Sequence, residues 1–134
     1  MKEVYRFSYR YFGNKGVIMF SKDCLFCKII KGYISADVVG QNEAIIAFRD
    51  IHPQSSTHVL IIPKIHIAST RELNKENINY LSEMALLANQ IADNENISES
   101  GYRWVINTGD YGGQTVNHIH LHLIGGRQMH WPPG

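Results

Sequence analysis

The chain has 134 residues, enough for one domain with its own core. Its 13 basic and 12 acidic side chains nearly cancel, without the clustered Lys and Arg that a nucleic-acid footprint requires. No run of 18 apolar residues, no repeat and no low-complexity segment occurs, so neither a nucleic-acid nor a membrane partner is expected.

Residues 1–22 read as an N-terminal extension, and residues 23–134 as the folded domain. Met1 to Phe20 is rich in Tyr, Phe and Arg, with few acids and no apolar core of a signal peptide. A mobile or disordered extension and a transit peptide are both open readings, and Met19 is a candidate natural start. Cys24 to Lys31 predicts a short helix ended by Gly32. Val38-Val39, Ala44 to Phe48 and His58 to Ile62 predict strands, with Pro53 breaking the chain and Pro63 ending the third. Asn74 is a candidate N-cap for a long helix to about Asp93, with Leu73 and Ile78 as a hydrophobic staple. The stripe Ile78, Leu81, Ala85, Ala88, Ala92 predicts the face it buries, flanked by Met84, Leu87 and Ile91. Arg103 to Ile106 and Val116 to Ile124 predict two more strands, joined by a glycine-rich turn. Consecutive strands with one inserted long helix give an α+β fold: an antiparallel meander of about five strands, one long helix and one short.

The chemistry concentrates in His118-Ile119-His120-Leu121-His122-Leu123-Ile124, which holds three of the seven histidines at period two. On a strand the three imidazoles share one face, within about 14 Å at ~3.4 Å per residue, and the aliphatics share the other. Such a row serves either as a transition-metal clamp or as a nucleophile with its acid–base partners. The preceding Asn107-Thr108-Gly109-Asp110-Tyr111-Gly112-Gly113-Gln114-Thr115 turn offers amide and hydroxyl donors. That favours a phosphate pocket over a carboxylate-rich metal site. Cys24-Leu25-Phe26-Cys27 is a second constellation. C-x2-C spacing suits half of a zinc site, a redox pair, a disulfide, or simply two reduced thiols.

The segment from Gly112 to Ile124 resembles the signature of the histidine triad family. The run Phe48 to His66 resembles that family's first half-site. The tail Gly125 to Gly134, ending Trp131-Pro132-Pro133-Gly134, resembles its nucleotide-binding branch, the purine nucleoside phosphoramidases. The resemblance implies a histidine triad fold and His120 as nucleophile on the α-phosphorus of a purine nucleoside 5′-phosphoramidate. His122, Gly113, Gln114 and Thr115 take the family's phosphate-contacting positions, and Thr115 with His58 the leaving-group side. Asp50 matches the ribose-binding acid, Phe48 and Ile51 the purine walls, and Asn107 a polar contact. Arg49 stands where relatives often have His, and either stacks on the base or faces solvent. Family members with the cysteine pair bind zinc at the positions of Cys24, Cys27, His66 and His118, which implies a structural zinc not needed for the chemistry. A cytoplasmic homodimer is implied as well. Three other functions stay open: a dinucleoside polyphosphate hydrolase of the same family, a non-catalytic nucleotide-binding scaffold dimer, and a zinc-storage protein.

Overall fold

A computed structural model describes residues 20–134. Residues 1–19 of the expected extension lie outside the described residues. At its end, Phe20 packs edge-on against Tyr33, and the Ser21 N–H donates to Cys27 Sγ.

Five strands form one antiparallel sheet: β1 (Val38–Gln41), β2 (Ile45–Arg49), β3 (Thr57–Pro63), β4 (Tyr102–Val105) and β5 (Leu121–Gly125). Their spatial order is β1-β2-β3-β5-β4, so the meander covers only the first three strands and β5 inserts between β3 and β4. Helix α1 (Leu25–Ile30) is short, α2 (Ile78–Asn94) is long, and α3 (Gly109–Gly112) is one turn.

Strands β2 and β3 are almost wholly buried because both faces of the sheet are covered. Alternation sends Ile45, Ala47, Val59, Ile61, Leu121 and Leu123 toward α2, where they meet Met84, Leu87, Ala88 and Ile91. The intervening Ile46, Phe48, Leu60 and Ile62 face α1, with Cys24, Phe26 and Cys27. The triad lies on this second face.

The long helix begins later than its expected cap. Asn74 Oδ1 accepts from the N–H groups of Glu76 and Asn77, and Asn77 Oδ1 accepts from Asn74 N–H. This reciprocal turn uses Asn74 before the helix starts, so Asn77 is the N-cap and Ile78 the first helical residue. Ile78 is then exposed and forms no staple. The buried face is Tyr80, Met84, Leu87, Ala88, Ile91 and Ala92, rotated from the expected stripe because the bulkier side chains fill the space over the sheet.

The triad strand is also shorter than expected. The β3–β5 pairing stops at Ile61↔Leu121, and Pro63, next in register opposite Ile119, has no N–H to continue the ladder. Ile119 N–H donates instead to Ile67 O, at 2.7 Å. His118 and His120 therefore precede β5, and only His122 lies within it. The alternation survives: Ile119 is buried on the α2 side and the histidine rings on the other.

Candidate active site and metal centre

His120 is 4% exposed. Its Nδ1 donates to the backbone carbonyl of His118 at 2.7 Å. That bond places the proton on Nδ1 and leaves the Nε2 lone pair free. Burial lowers its pKa, opposed by the His118 carbonyl, so the ring is neutral near pH 7. Phe26 meets it edge-on, with centroids 5.1 Å apart.

His122 lies 5.0 Å from His120, ring to ring. Its proton is fixed by a chain that starts at a backbone amide. Gln54 N–H donates to His58 Nδ1 at 3.0 Å, so neutral His58 carries its proton on Nε2. That nitrogen donates to His122 Nδ1 at 2.9 Å, with Asp50 Oδ2 3.4 Å away. His122 must then hold its proton on Nε2. Burial first, then the neighbouring His120 and His58, push the His122 pKa down to about 4. Burial also lowers His58, and the Asp50 carboxylate opposes it. His58 was expected at the leaving-group side. It is instead 5% exposed and bonded through both nitrogens. Asp50, His58 and His122 are close enough to suggest a metal clamp. A neutral imidazole ligating through Nε2 would need its proton on Nδ1, against the Gln54 N–H, so hydrogen bonding explains this group better.

The glycine turn does not offer the expected phosphate nest. Gly113 N–H donates to Asp110 O and Gln114 N–H to Gly109 O, both at 3.1 Å. The Gln114 side chain is buried and tied to Ala68 O, Val116 O and Gly109 N. These donors face the turn's own acceptors because Gly109–Gly112 closes into a helical turn, α3. Asn107 is half-buried behind Gly113. Thr115 is exposed, and with Ser21, Asp23, His66 and Asn117 it lines a cavity of about 410 Å³.

Of the two residues expected to wall a purine, Phe48 is 4% exposed and packs on Phe26, whereas Ile51 is 85% exposed. Of these two, Ile51 presents the broad exposed apolar surface. Arg49 is held by acidic partners across the sheet end rather than left free. Its guanidinium forks onto Glu95 at 2.7 and 3.1 Å, with Asp37 at 3.7 Å.

Behind the triad, Cys24, Cys27, His66 and His118 bring their ligand atoms within 4.8 Å of one another. The Sγ–Nδ1 distances are 3.4 Å for Cys24–His118, 3.4 Å for Cys27–His66 and 3.6 Å for Cys27–His118. A tetrahedral ion with Zn–S of about 2.3 Å and Zn–N of about 2.05 Å places such atoms ~3.6 Å apart. His118 Nε2 donates to Pro63 O at 3.0 Å, which turns its Nδ1 lone pair toward the sulfurs. The Cys24 thiol is pulled well down, by Cys27 first and by His118 and His66. The same contact and burial push Cys27 up. Both cysteines are free, so no disulfide joins them. The four side chains fit a closed tetrahedral metal site.

Phe26, Gln54 and Glu95 had no signal in the sequence. Phe26 is read as core by its residue type, Gln54 acts through its backbone, and Glu95 lies 46 positions from Arg49.

An antiparallel sheet backed by one helix, carrying a neutral histidine with one nitrogen pinned and one free, defines a histidine-centred α+β enzyme class. The chain belongs to the histidine triad family. The family profile described as scavenger mRNA decapping enzyme C-term binding matches residues 23–131. The purine nucleoside phosphoramidase of Escherichia coli K12 is 45% identical over 109 residues, covering 81% of this chain and 92% of that protein. The 14 kDa zinc-binding protein of Zea mays is 47% identical over 112 residues, covering 82% and 87%. The crystal structure of a HIT family hydrolase from Legionella pneumophila Philadelphia 1 superposes with a TM-score of 0.82. It is 54% identical and covers 84% of this chain and all of that one. Among the described residues no helix is long and apolar enough to cross a membrane.

Proposed function

We propose that the chain is a purine nucleoside phosphoramidase working through a nucleotidyl-histidine intermediate. The observation that carries this reading is His120, neutral, buried and oriented by the His118 carbonyl, with Nε2 unprotonated. Nε2 attacks the α-phosphorus, an N–P bond forms and the bond to the leaving amine breaks. His122 Nε2–H donates to a phosphoryl oxygen, because His58 holds the other His122 nitrogen. The neutral imidazoles cannot release an N–H proton without becoming imidazolate. The amine therefore takes its proton from water relayed by the Thr115 hydroxyl. The hydroxide left by that water then attacks phosphorus and the N–P bond breaks, releasing the nucleoside monophosphate and restoring the neutral His120 imidazole. Asp50 accepts from the ribose hydroxyls, Ile51 covers the purine with the Phe48 edge, and Asn107 supports the turn that carries Thr115.

The Cys24, Cys27, His66 and His118 set holds zinc as a structural ion. The His118 Nε2–H bond to Pro63 O and the closed donor set support that role. Two free thiols suit a reducing, cytoplasmic compartment. The working unit is a homodimer, supported by the exposed Trp131 of the tail and Trp104 on edge strand β4.

The decisive assay compares adenosine 5′-phosphoramidate with a diadenosine polyphosphate, with and without chelator. Faster release of AMP from the phosphoramidate, unaffected by chelator over the assay, is expected. Preference for the polyphosphate, or binding without turnover, would replace this reading.

A further inference from the structure

Glu95 sits at the C-terminal cap of α2, on the sheet face opposite the triad. Its side chain is 22% exposed. One oxygen accepts from Arg49 Nη1 at 2.7 Å and the other from Arg49 Nη2 at 3.1 Å. The first also accepts from Thr57 Oγ1 at 3.3 Å. The Arg49 hydrogen bonds hold the carboxyl below its usual range, so it is ionised at neutral pH.

The two residues it grips have particular neighbours. Arg49 ends β2 and is followed by Asp50; Thr57 opens β3 and is followed by His58. Alternation turns Arg49 and Thr57 toward α2, and Asp50 and His58 toward the triad. Between the two grips runs the mostly exposed 50–56 loop, which cannot hold the strand ends by burial. Asp50 N–H donates to His58 O at 3.0 Å, and the Asp50 and His58 side chains meet at 3.4 Å. The 2.9 Å bond from His58 to His122 then decides which His122 nitrogen carries the proton. Hydrogen bonds at these lengths fail with a displacement of about 0.5–1 Å.

We propose that Glu95 is a positioning residue: from behind the sheet, its carboxylate fixes the strand ends bearing Asp50 and His58, and so sets the ribose acceptor and the His122 tautomer. The catalytic part of this rests on the phosphoramidase reading. A partly exposed ion pair contributes little to stability. Its measurable effect is geometric, and misplacing a reacting group by about 1 Å can cost up to ~100-fold in rate.

The test uses the full chain with Glu95→Ala, Glu95→Gln and Thr57→Val. Three quantities are read: the melting temperature, KM and kcat for adenosine 5′-phosphoramidate, and the imidazole tautomers by long-range 15N–1H NMR. In Glu95→Ala the Nε2–H signature of His122 should become averaged between tautomers, and KM should rise about tenfold. Glu95→Gln, which keeps one acceptor, should fall between Glu95→Ala and the parent. Thr57→Val should shift the same signals, with no further loss when combined with Glu95→Ala. The tautomer readout needs no substrate. A shifted His122 tautomer in a chain that hydrolyses no phosphoramidate would keep Glu95's role and remove the functional reading. An active parent whose Glu95→Ala form keeps its KM and tautomers, or only melts lower, would overturn the proposal. Were Glu95→Ala not to fold, unchanged tautomers and KM in Glu95→Gln and Thr57→Val would overturn it equally.

Discussion

His118 serves His120 through its backbone while its own ring faces the cysteines. The carbonyl accepts the His120 Nδ1–H at 2.7 Å, and the Nδ1 of the same residue lies 3.4 Å from Cys24 Sγ. The candidate metal site and the proposed nucleophile thus share one residue.

His120→Ala should abolish phosphoramidate turnover, with a loss of several powers of ten, while nucleotide binding persists. Mass spectrometry of quenched parent protein should show a nucleotidyl adduct on His120. Turnover near the parent level in His120→Ala would remove the covalent mechanism.

Zinc should co-purify at about one ion per chain, with sulfur at ~2.3 Å and nitrogen at ~2.0–2.1 Å in X-ray absorption spectra. Cys24→Ser or Cys27→Ser should lose the metal. If that loss removes about 3 kcal/mol, the melting temperature should fall by roughly 10 °C for a domain of this size. Metal-free preparations of full stability, or chelation that stops turnover without lowering stability, would contradict a structural ion.

Acid should destabilise the fold. An unfolded histidine titrates near pH 6.5, whereas folded His122 stays neutral down to about 4. Between those values the unfolded chain binds the extra proton, so stability falls as pH drops from about 6.5 toward 4. Below about 4 this contribution is fully lost. The slope for one imidazole is at most about 1.4 kcal/mol per pH unit. His58 is shifted in the same direction. Melting temperatures measured across this range should decline, and His122→Gln should flatten the slope while leaving the metal centre's own acid sensitivity in place. Identical slopes in the two proteins would count against the assignment.

The chain should be a homodimer by light scattering. Arg127 Nε donates to Gln54 O, and Arg103 to His130 O, which anchors the tail's start beside the 50–56 loop. Trp131 beyond it is 84% exposed. Truncation after Gln128 should change leaving-group preference more than melting temperature. A monomer, or a truncated chain of unchanged specificity, would argue for a tail with no part in the site.

What was legible in the sequence were features with a short period or a rare residue type. The strands β1 to β3 and the alternation through His122 follow from residue type and two-residue spacing, the Cys24–Cys27 pair from ligand chemistry, and its partners His66 and His118 only from the family resemblance. The rest depends on distant partners. Arg49 has no visible reason to leave the base until Glu95, 46 positions on, is brought beside it. Gln114 looks like a free donor because sequence cannot show that Ala68 and Val116 carbonyls already hold its amide. The proton on His122 depends on the Gln54 backbone, which carries no side-chain code.

The two glycines that follow the triad carry a consequence for mutational tolerance. A Cβ on Gly125 would come within 2.6 Å of Ile97 Cδ1, and one on Gly126 would collide with Ser56 Oγ, at a φ of +97°. Gly125 O also accepts from Ser55 Oγ at 2.5 Å. In a saturation library scored for activity, these positions should look as intolerant as the nucleophile although neither has a side chain to offer a substrate. Depletion of variants is therefore a poor guide to chemistry at this end of the chain: it records crowding by Ile97 at the last residue of β5, and crowding by Ser56 with a left-handed backbone at the residue after it.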